Sequence, residues 1–316
     1  MKIFTHINQD LDAVCAVWAA RQFVPGAKDA PIEFRPANWD GDGMSEGDLA
    51  LDMDAGGRGL KGEVGEDGVV HSCFALVVAR YAPQDDQRAL DNLVIFVDAQ
   101  DAHGSAVKHL LRPRSACPTA EGLGYANEYA QGLLEWAYEA GRPTPDAVDV
   151  LAATGLNAVF RALQAAHPRN DTLVIERMSE ILNGMLQAGR ARQRAVKEAD
   201  RAEILPGGQV AIVTNSREYA TNGILFGERG VRVIVYVDGH NLGVIRHGDE
   251  QLRMDHPTIK SVVAEAGEAA EWFAHPAGFL YCRGSRKAPA QSPSRVDPRT
   301  LAEAARALLQ VLQGGD

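Results

Sequence analysis

The sequence has no cysteine pair of the C-x-x-C kind. Its four cysteines, Cys15, Cys73, Cys117 and Cys282, are far apart and sit mostly in apolar surroundings. That pattern predicts reduced, buried thiols and a cytoplasmic protein. No apolar stretch approaches the roughly 18–20 residues of a membrane span, so no membrane partner is expected. The first residues run straight into a patterned strand and helix, so no signal peptide is expected either. Positive charge is in short supply: the formal net charge is -10. A protein that coats duplex DNA or anionic lipid through bulk charge is therefore excluded, although a local basic groove is not. Aromatic residues make up only 6%, without the clustered Phe or Tyr on which single-strand binders stack bases. There is no long internal repeat, and the only biased tract is APAQSPSR (288–295), read as a loop.

What is present is enough for two domains: 316 residues, 46% of them hydrophobic. The first half alternates strand and helix patterns. KIFTHI, PIEFRPA (31–37), LALDMD (49–54) and LVIFVDA (93–99) read as strands, and residues 10–23 and 71–82 as helices. Such alternation predicts an α/β domain with a mostly parallel sheet and flanking helices. Residues 121–203 read as largely helical, with one long helix from Thr172 to Ala202. LPGGQ (205–209) marks a boundary. Beyond it VAIVTN, VRVIVYVDG, LGVIRHG and FLYCRG read as strands, VDGHN as a hairpin turn, and 298–313 as a closing helix opened by Asp297-Pro298. The expected domains are 1–170, a connecting helix 171–204, and a smaller α+β domain 205–316.

The chemistry concentrates where the first strand hands over to the first helix. His6, Asp10 and Asp12 follow one another there with spacing His-x3-Asp-x-Asp. In parallel sheets ligands bind at the carboxyl ends of strands. The expected ends carry His6, Asp10, Asp52, Asp54, Asp98 and Asp101. One imidazole and several carboxylates suit a divalent ion such as Mn2+ or Mg2+. Two such ions about 3.5–4 Å apart would clamp the attacking and leaving oxygens of a phosphate ester. Blander roles are open for the same residues. Asp10 suits an N-cap, Asp12 suits a first helical turn, and His6 suits a satisfied core histidine.

The stretch TH-x-N-x-D-x-D-A (5–13) resembles the first motif of the DHH phosphoesterase superfamily, which includes RecJ-type nucleases, family II inorganic pyrophosphatases and oligoribonucleases. The resemblance implies that His6, Asp10 and Asp12 are metal ligands. ALDMDAGG (50–57) is similar to the second motif and implies Asp54, with Asp52 the alternative. LVIFVDAQD (93–101) resembles the fourth, on Asp98 or Asp101. EWFAHPAGFLYCRGSRKAPA (271–290) and the helix after it resemble the end of the Myg-type exonuclease branch. The superfamily's Asp-His-His motif is missing. In its place stands GRGLKGEVGEDGVVHSC (57–73), whose candidate ligands are Glu63, Glu66, Asp67 and His71. Three outcomes follow: one metal remains, Glu63 or His71 substitutes, or the site binds a ligand without catalysis.

Substrate contacts are expected in the second domain. Arg283, Ser285, Arg286, Lys287 and Arg295 crowd a stretch with no acid, as phosphate recognition by guanidinium requires. Asn8, His275 and Gly278 join Ser285, Arg286 and Lys287 as candidate substrate residues, with Gly278 allowing close backbone approach. The sequence thus predicts a Mn2+- or Mg2+-dependent phosphoesterase for a small nucleotide or short oligonucleotide. The competing expectation is a non-catalytic relative that binds a nucleotide or a protein partner. A homodimer is left open.

Overall fold

A computed structural model describes residues 1–65, 70–103, 145–218, 220–248 and 252–313. Glu66, Asp67 and Cys117 lie outside the described residues. The chain divides into two compact units, Met1–Arg190 and Ala191–Asp316.

The first unit carries a three-stranded parallel sheet. Strand β1 (Ile3–His6) lies between β2 (Ile32–Arg35) and β3 (Leu49–Leu51). Ile3 pairs with Ile32 on one side and with Leu49 on the other. Helix α1 (Leu11–Phe23) follows β1, and every residue from Leu11 to Ala20 is buried. A helix buried all round belongs inside the domain, which explains the small residues Ala13, Ala16, Ala19 and Ala20 between its larger ones. It ends at Val24, before Pro25, which cannot continue it. Trp18 is fully buried in α1 and donates from Nε1 to Asn183 Oδ1 at 2.9 Å. A short hairpin, β4 (Glu63–Val64) with β5 (Val70–His71), precedes α2 (Cys73–Tyr81).

The expected fourth strand at 93–99 is not there. Those residues belong to helix α3 (Gln84–His103). The buried positions explain the difference: Asp86, Leu90, Leu93, Phe96 and Val97 are covered while Asp91, Asn92 and Ile95 are exposed. That is a helical stripe. The five-residue apolar run LVIFV is only part of a longer element whose polar start, QDDQRALDN, favours helix. The acids Asp98 and Asp101 therefore lie one turn apart on a helix rather than at a strand end.

Two more helices follow, α4 (Pro145–Ala166) and α5 (Asp171–Ala199), the long helix expected from the sequence, of which residues 191–199 belong to the second unit. Gly189 lets α5 pass close to α3, since a β-carbon there would lie 2.1 Å from the Ala89 carbonyl. One residue later, Arg190 grips Asp86 with two bonds of 2.6 and 2.8 Å. Phe74, Phe96, Phe160, Ile175, Met178 and Leu182 share one core with Trp18.

The second unit is built on a mixed six-stranded sheet. Its strands are β6 (Glu203–Ile204), β7 (Val210–Thr214), β8 (Val233–Asp238), β9 (Asn241–Arg246), β10 (Phe273–Ala274) and β11 (Leu280–Arg283). Their order is β10-β11-β9-β8-β7-β6. Only β7 and β8 run parallel; the other pairs are antiparallel. VAIVT and VIVYV are nearly continuous β-branched runs, as strands covered on both faces should be. The VDGHN turn is a two-residue hairpin loop in which Asp238 pairs with Asn241. Helices α6 (Ala220–Gly227), α7 (Pro257–Glu265) and α8 (Pro298–Gln313) complete the unit. At the start of α8, Asp297 Oδ2 accepts from the Thr300 amide at 2.9 Å, the cap that Asp297-Pro298 predicts. Leu301, Leu308 and Leu309 of α8 pack with Val233, Val244 and Tyr281.

Candidate metal centre

Two turns in the left-handed region build the site. Asn8, at φ 55°, turns the chain between β1 and α1; Asp52, at φ 55°, turns it at the end of β3. Asn and Asp are the side-chain residues that tolerate this conformation best. Because β1 and β3 are paired neighbours, both turns open at the same edge of the sheet.

His6, Asp10 and Asp52 meet there. Each offers one ligand atom, and these atoms lie within 4.8 Å of one another. His6 Nε2 lies 2.9 Å from Asp52 Oδ2, and its Nδ1 lies 2.9 Å from the Ile7 carbonyl. A carbonyl only accepts, so Nδ1 carries a proton and Nε2 is the atom turned to the carboxylates. The Asp52 carboxylate, working against burial and helped by the Ile7 carbonyl, raises the imidazole pKa to about 9. Burial and the nearby Asp52 charge push the Asp10 carboxyl above the usual carboxylate range.

The other acids have identifiable partners. Asp10 Oδ1 caps α1 by accepting from the Ala13 amide at 2.9 Å, as the blander expectation held. That leaves Asp10 with further acceptor capacity, so cap and ligand are compatible roles. Asp12 is buried and receives the Cys73 and Phe74 amides at 2.9 and 2.8 Å, which makes it the anchor of the α2 N-terminus. Burial and the Asp52 and Asp101 charges nevertheless hold its pKa well above the ordinary value. Asp54 is exposed and accepts from Gly57 within its own turn at 3.1 Å. Of the two carboxylates left open at β3, Asp52 is the one beside His6. The turn gives the reason: Asp52 takes the left-handed conformation directly after Leu51, the register partner of Thr5, which precedes His6.

Asp98 holds the segment that leads into α2. Its Oδ1 accepts from Ser72 Oγ at 2.6 Å and from the Ser72 amide at 2.9 Å. Its Oδ2 lies 3.4 Å from His71 Nδ1. Asp101 has its pKa raised by burial and by the charges of Asp52, Asp10 and Asp98. Among the described residues the three-ligand group remains His6, Asp10 and Asp52.

No protein-family model and no curated protein matches the sequence. Solved structures do match. One is described as the DHH domain of a member of a family of ribosomal proteins: 14% identity, 99% of this chain, 87% of that one, TM-score 0.30. Another is exonuclease RecJ bound to manganese: 12% identity, 100% of this chain, 90% of that one, TM-score 0.26. A third is an uncharacterised protein from Helicobacter pylori: 10% identity, 98% of this chain, 99% of that one, TM-score 0.22. DHH-type structures are thus among the neighbours. Superpositions this loose carry no chemistry, and the case for the site rests on its own residues.

Those residues fit a divalent cation. The donor set of one imidazole nitrogen and two carboxylates suits Mn2+ or Mg2+. Burial first and the Asp52 charge second raise the Asp10 carboxyl, and a bound cation would relieve that repulsion. The Ile7 carbonyl gives His6 the outer partner that metal-binding histidines ordinarily have. Below the site, the buried Cys73 thiol donates to the Leu60 carbonyl and accepts from the Asp52 amide at 3.1 Å, which fixes the turn carrying Asp52.

The candidate substrate residues of the second unit are mostly engaged. Arg283 is buried against Glu271 at 2.6 Å and bonds to Ser292. Arg295 binds Glu268. Arg286 bonds to Asp238 at 3.2 Å and to the Ser216 carbonyl. Ser285 closes its own turn with Ala288. Lys287 is exposed and, among the described residues, without a hydrogen bond or ion pair. His275 accepts from the Ala277 amide in the β10–β11 turn, and Gly278 lies beneath the Arg253 guanidinium.

Proposed function

We propose that the chain is a divalent-cation-dependent phosphoester hydrolase acting on a nucleotide or short oligonucleotide. The observation that carries the reading is the convergence of His6, Asp10 and Asp52 within 4.8 Å at the ends of two adjacent strands. His6 Nε2 and the two carboxylates would hold Mn2+ or Mg2+. The cation would supply Lewis-acid polarisation of a phosphoryl oxygen and a more acidic water. The chain's own residues do the rest. The Ile7 carbonyl keeps a proton on Nδ1, so Nε2 is the nitrogen that would give up its proton to the cation. Asp12 ties the start of α2 to the site. Asp98 fixes Ser72 and His71 beside it. Ser285, Arg286 and Lys287 are the proposed phosphate-binding residues, with Lys287 the cation that has no internal partner among the described residues.

A second reading has its own support. The segment in place of the paired histidines supplies only His71 and the exposed Glu63 among the described residues. A mononuclear or purely binding site would follow.

The test is to strip the purified protein with chelator, restore Mn2+, and count bound ions and hydrolysis of a dinucleotide. The Asp10→Asn/Asp52→Asn double variant is run beside the wild type. Bound Mn2+ and hydrolysis, both lost in the variant, support the enzyme. Bound Mn2+ without hydrolysis supports the binding protein. No retained ion rejects the metal centre.

A further inference from the structure

The second unit holds a cavity of about 560 Å³ lined by Arg246, Gly248, Arg253, Ala277 and Phe279. Arg246 is only 7% exposed, yet among the described residues no carboxylate pairs with it. Its Nη groups reach the His247 and Ala277 carbonyls at 3.4 and 3.3 Å, and its Nε has no partner among the described residues. A buried guanidinium bonded only by long contacts to carbonyls is electrostatically incomplete. The missing element is an anion, and the planar fork of arginine favours phosphate or carboxylate.

A second feature narrows the ligand. Phe279, which lines the same cavity, sits against the His275 ring at 4.2 Å, and His275 meets the 55% exposed Phe273 edge-on at 6.3 Å. This aromatic group lies at the tip of the β10–β11 hairpin. Arg253, another lining residue, has its guanidinium held flat by Asp255 at 3.0 and 3.2 Å and by the Pro276 carbonyl. An aromatic ring and an oriented guanidinium plane are the two surfaces on which proteins stack unpaired bases.

We infer that this cavity binds a mononucleotide unit, with the base packed on Phe279 beside Arg253 and the phosphate drawn to Arg246. The inference rests on the phosphoester reading for its substrate class alone, since the described lining residues all belong to the second unit.

The experiment is calorimetric titration of the full chain in chelator buffer, which takes the metal centre out of play. The probes are adenosine 5′-monophosphate, adenosine and inorganic phosphate. The monophosphate is expected to bind at least tenfold tighter than either half. Phe279→Leu is expected to weaken the monophosphate about tenfold and leave inorganic phosphate unaltered. Arg246→Gln is expected to weaken both. If Arg246→Gln fails to fold, the half-exposed Arg253→Gln replaces it, with a severalfold loss expected for the monophosphate. Equal affinity for monophosphate and phosphate overturns the inference, as does a folded Phe279→Leu or Arg253→Gln chain that binds like wild type. The Asp10→Asn/Asp52→Asn variant is expected to bind the monophosphate unchanged. A wild-type chain that binds the monophosphate but shows no Mn2+-dependent hydrolysis would sink the enzyme reading alone; a wild-type chain that hydrolyses with Mn2+ but does not bind the monophosphate would sink the cavity alone.

Discussion

His6 and Asp52 are 46 residues apart in the chain and 2.9 Å apart in space, imidazole Nε2 to carboxylate Oδ2. The pairing of β1 with β3 creates the contact, because Thr5 and Leu51 are register partners and the two side chains come just after them.

Asp52 should therefore matter to metal binding and Asp54 should not. Equilibrium dialysis with Mn2+ is expected to show at least a tenfold loss of affinity for Asp52→Asn, in the range that even outer-shell changes produce. Asp54→Asn should bind as wild type. The reverse order would place the ligand on the other acid.

Asp12 is expected to act first on stability. Asp12→Ala leaves the buried Cys73 and Phe74 amides without their acceptor, which costs on the order of 2–4 kcal/mol. Thermal melting of the chelated protein should show a clear drop in Tm. An unchanged Tm would mean that the α2 cap is dispensable.

Gly59 is expected to tolerate no side chain. A β-carbon there would lie 2.0 Å from the Met53 carbonyl, inside the turn that carries Asp52. Gly59→Ala should lower stability by a few kcal/mol and weaken Mn2+ binding with it. Wild-type Mn2+ affinity in that variant would show that the turn is not what positions Asp52.

Acid should loosen the second unit through Glu198. Burial alone would raise its pKa. Hydrogen bonds from Ser216, Thr221 and the amides of Arg217 and Glu218 outweigh that and bring it to about 2. A lowered folded pKa means stability that is complete above the unfolded value of about 4.3 and is lost as pH falls toward 2. Denaturant unfolding between pH 6 and pH 2.5 should show this loss in wild type and a flatter profile in Glu198→Gln. Parallel profiles would contradict it.

The sequence by itself determined the elements whose pattern is local. The parallel entry around KIFTHI, the buried helix 11–23, the long helix 171–199, the VDGHN hairpin and the capped closing helix all follow from periodicity and cap residues within a few positions of each other. So did the concentration of His6, Asp10 and Asp12 at one strand end. Only the tertiary structure decided what depends on residues far apart in the chain. Residues 93–99 have the composition of a strand, and burial against α1 and α2 makes them part of a helix. Asp52 and Asp54 are indistinguishable in composition, and the register of β3 turns the first toward His6. Arg246 reads as one arginine among many, and only folding buries it with no acid beside it among the described residues. Patterns of three or four residues carry secondary structure; the partner of a charge is set by which strands lie side by side.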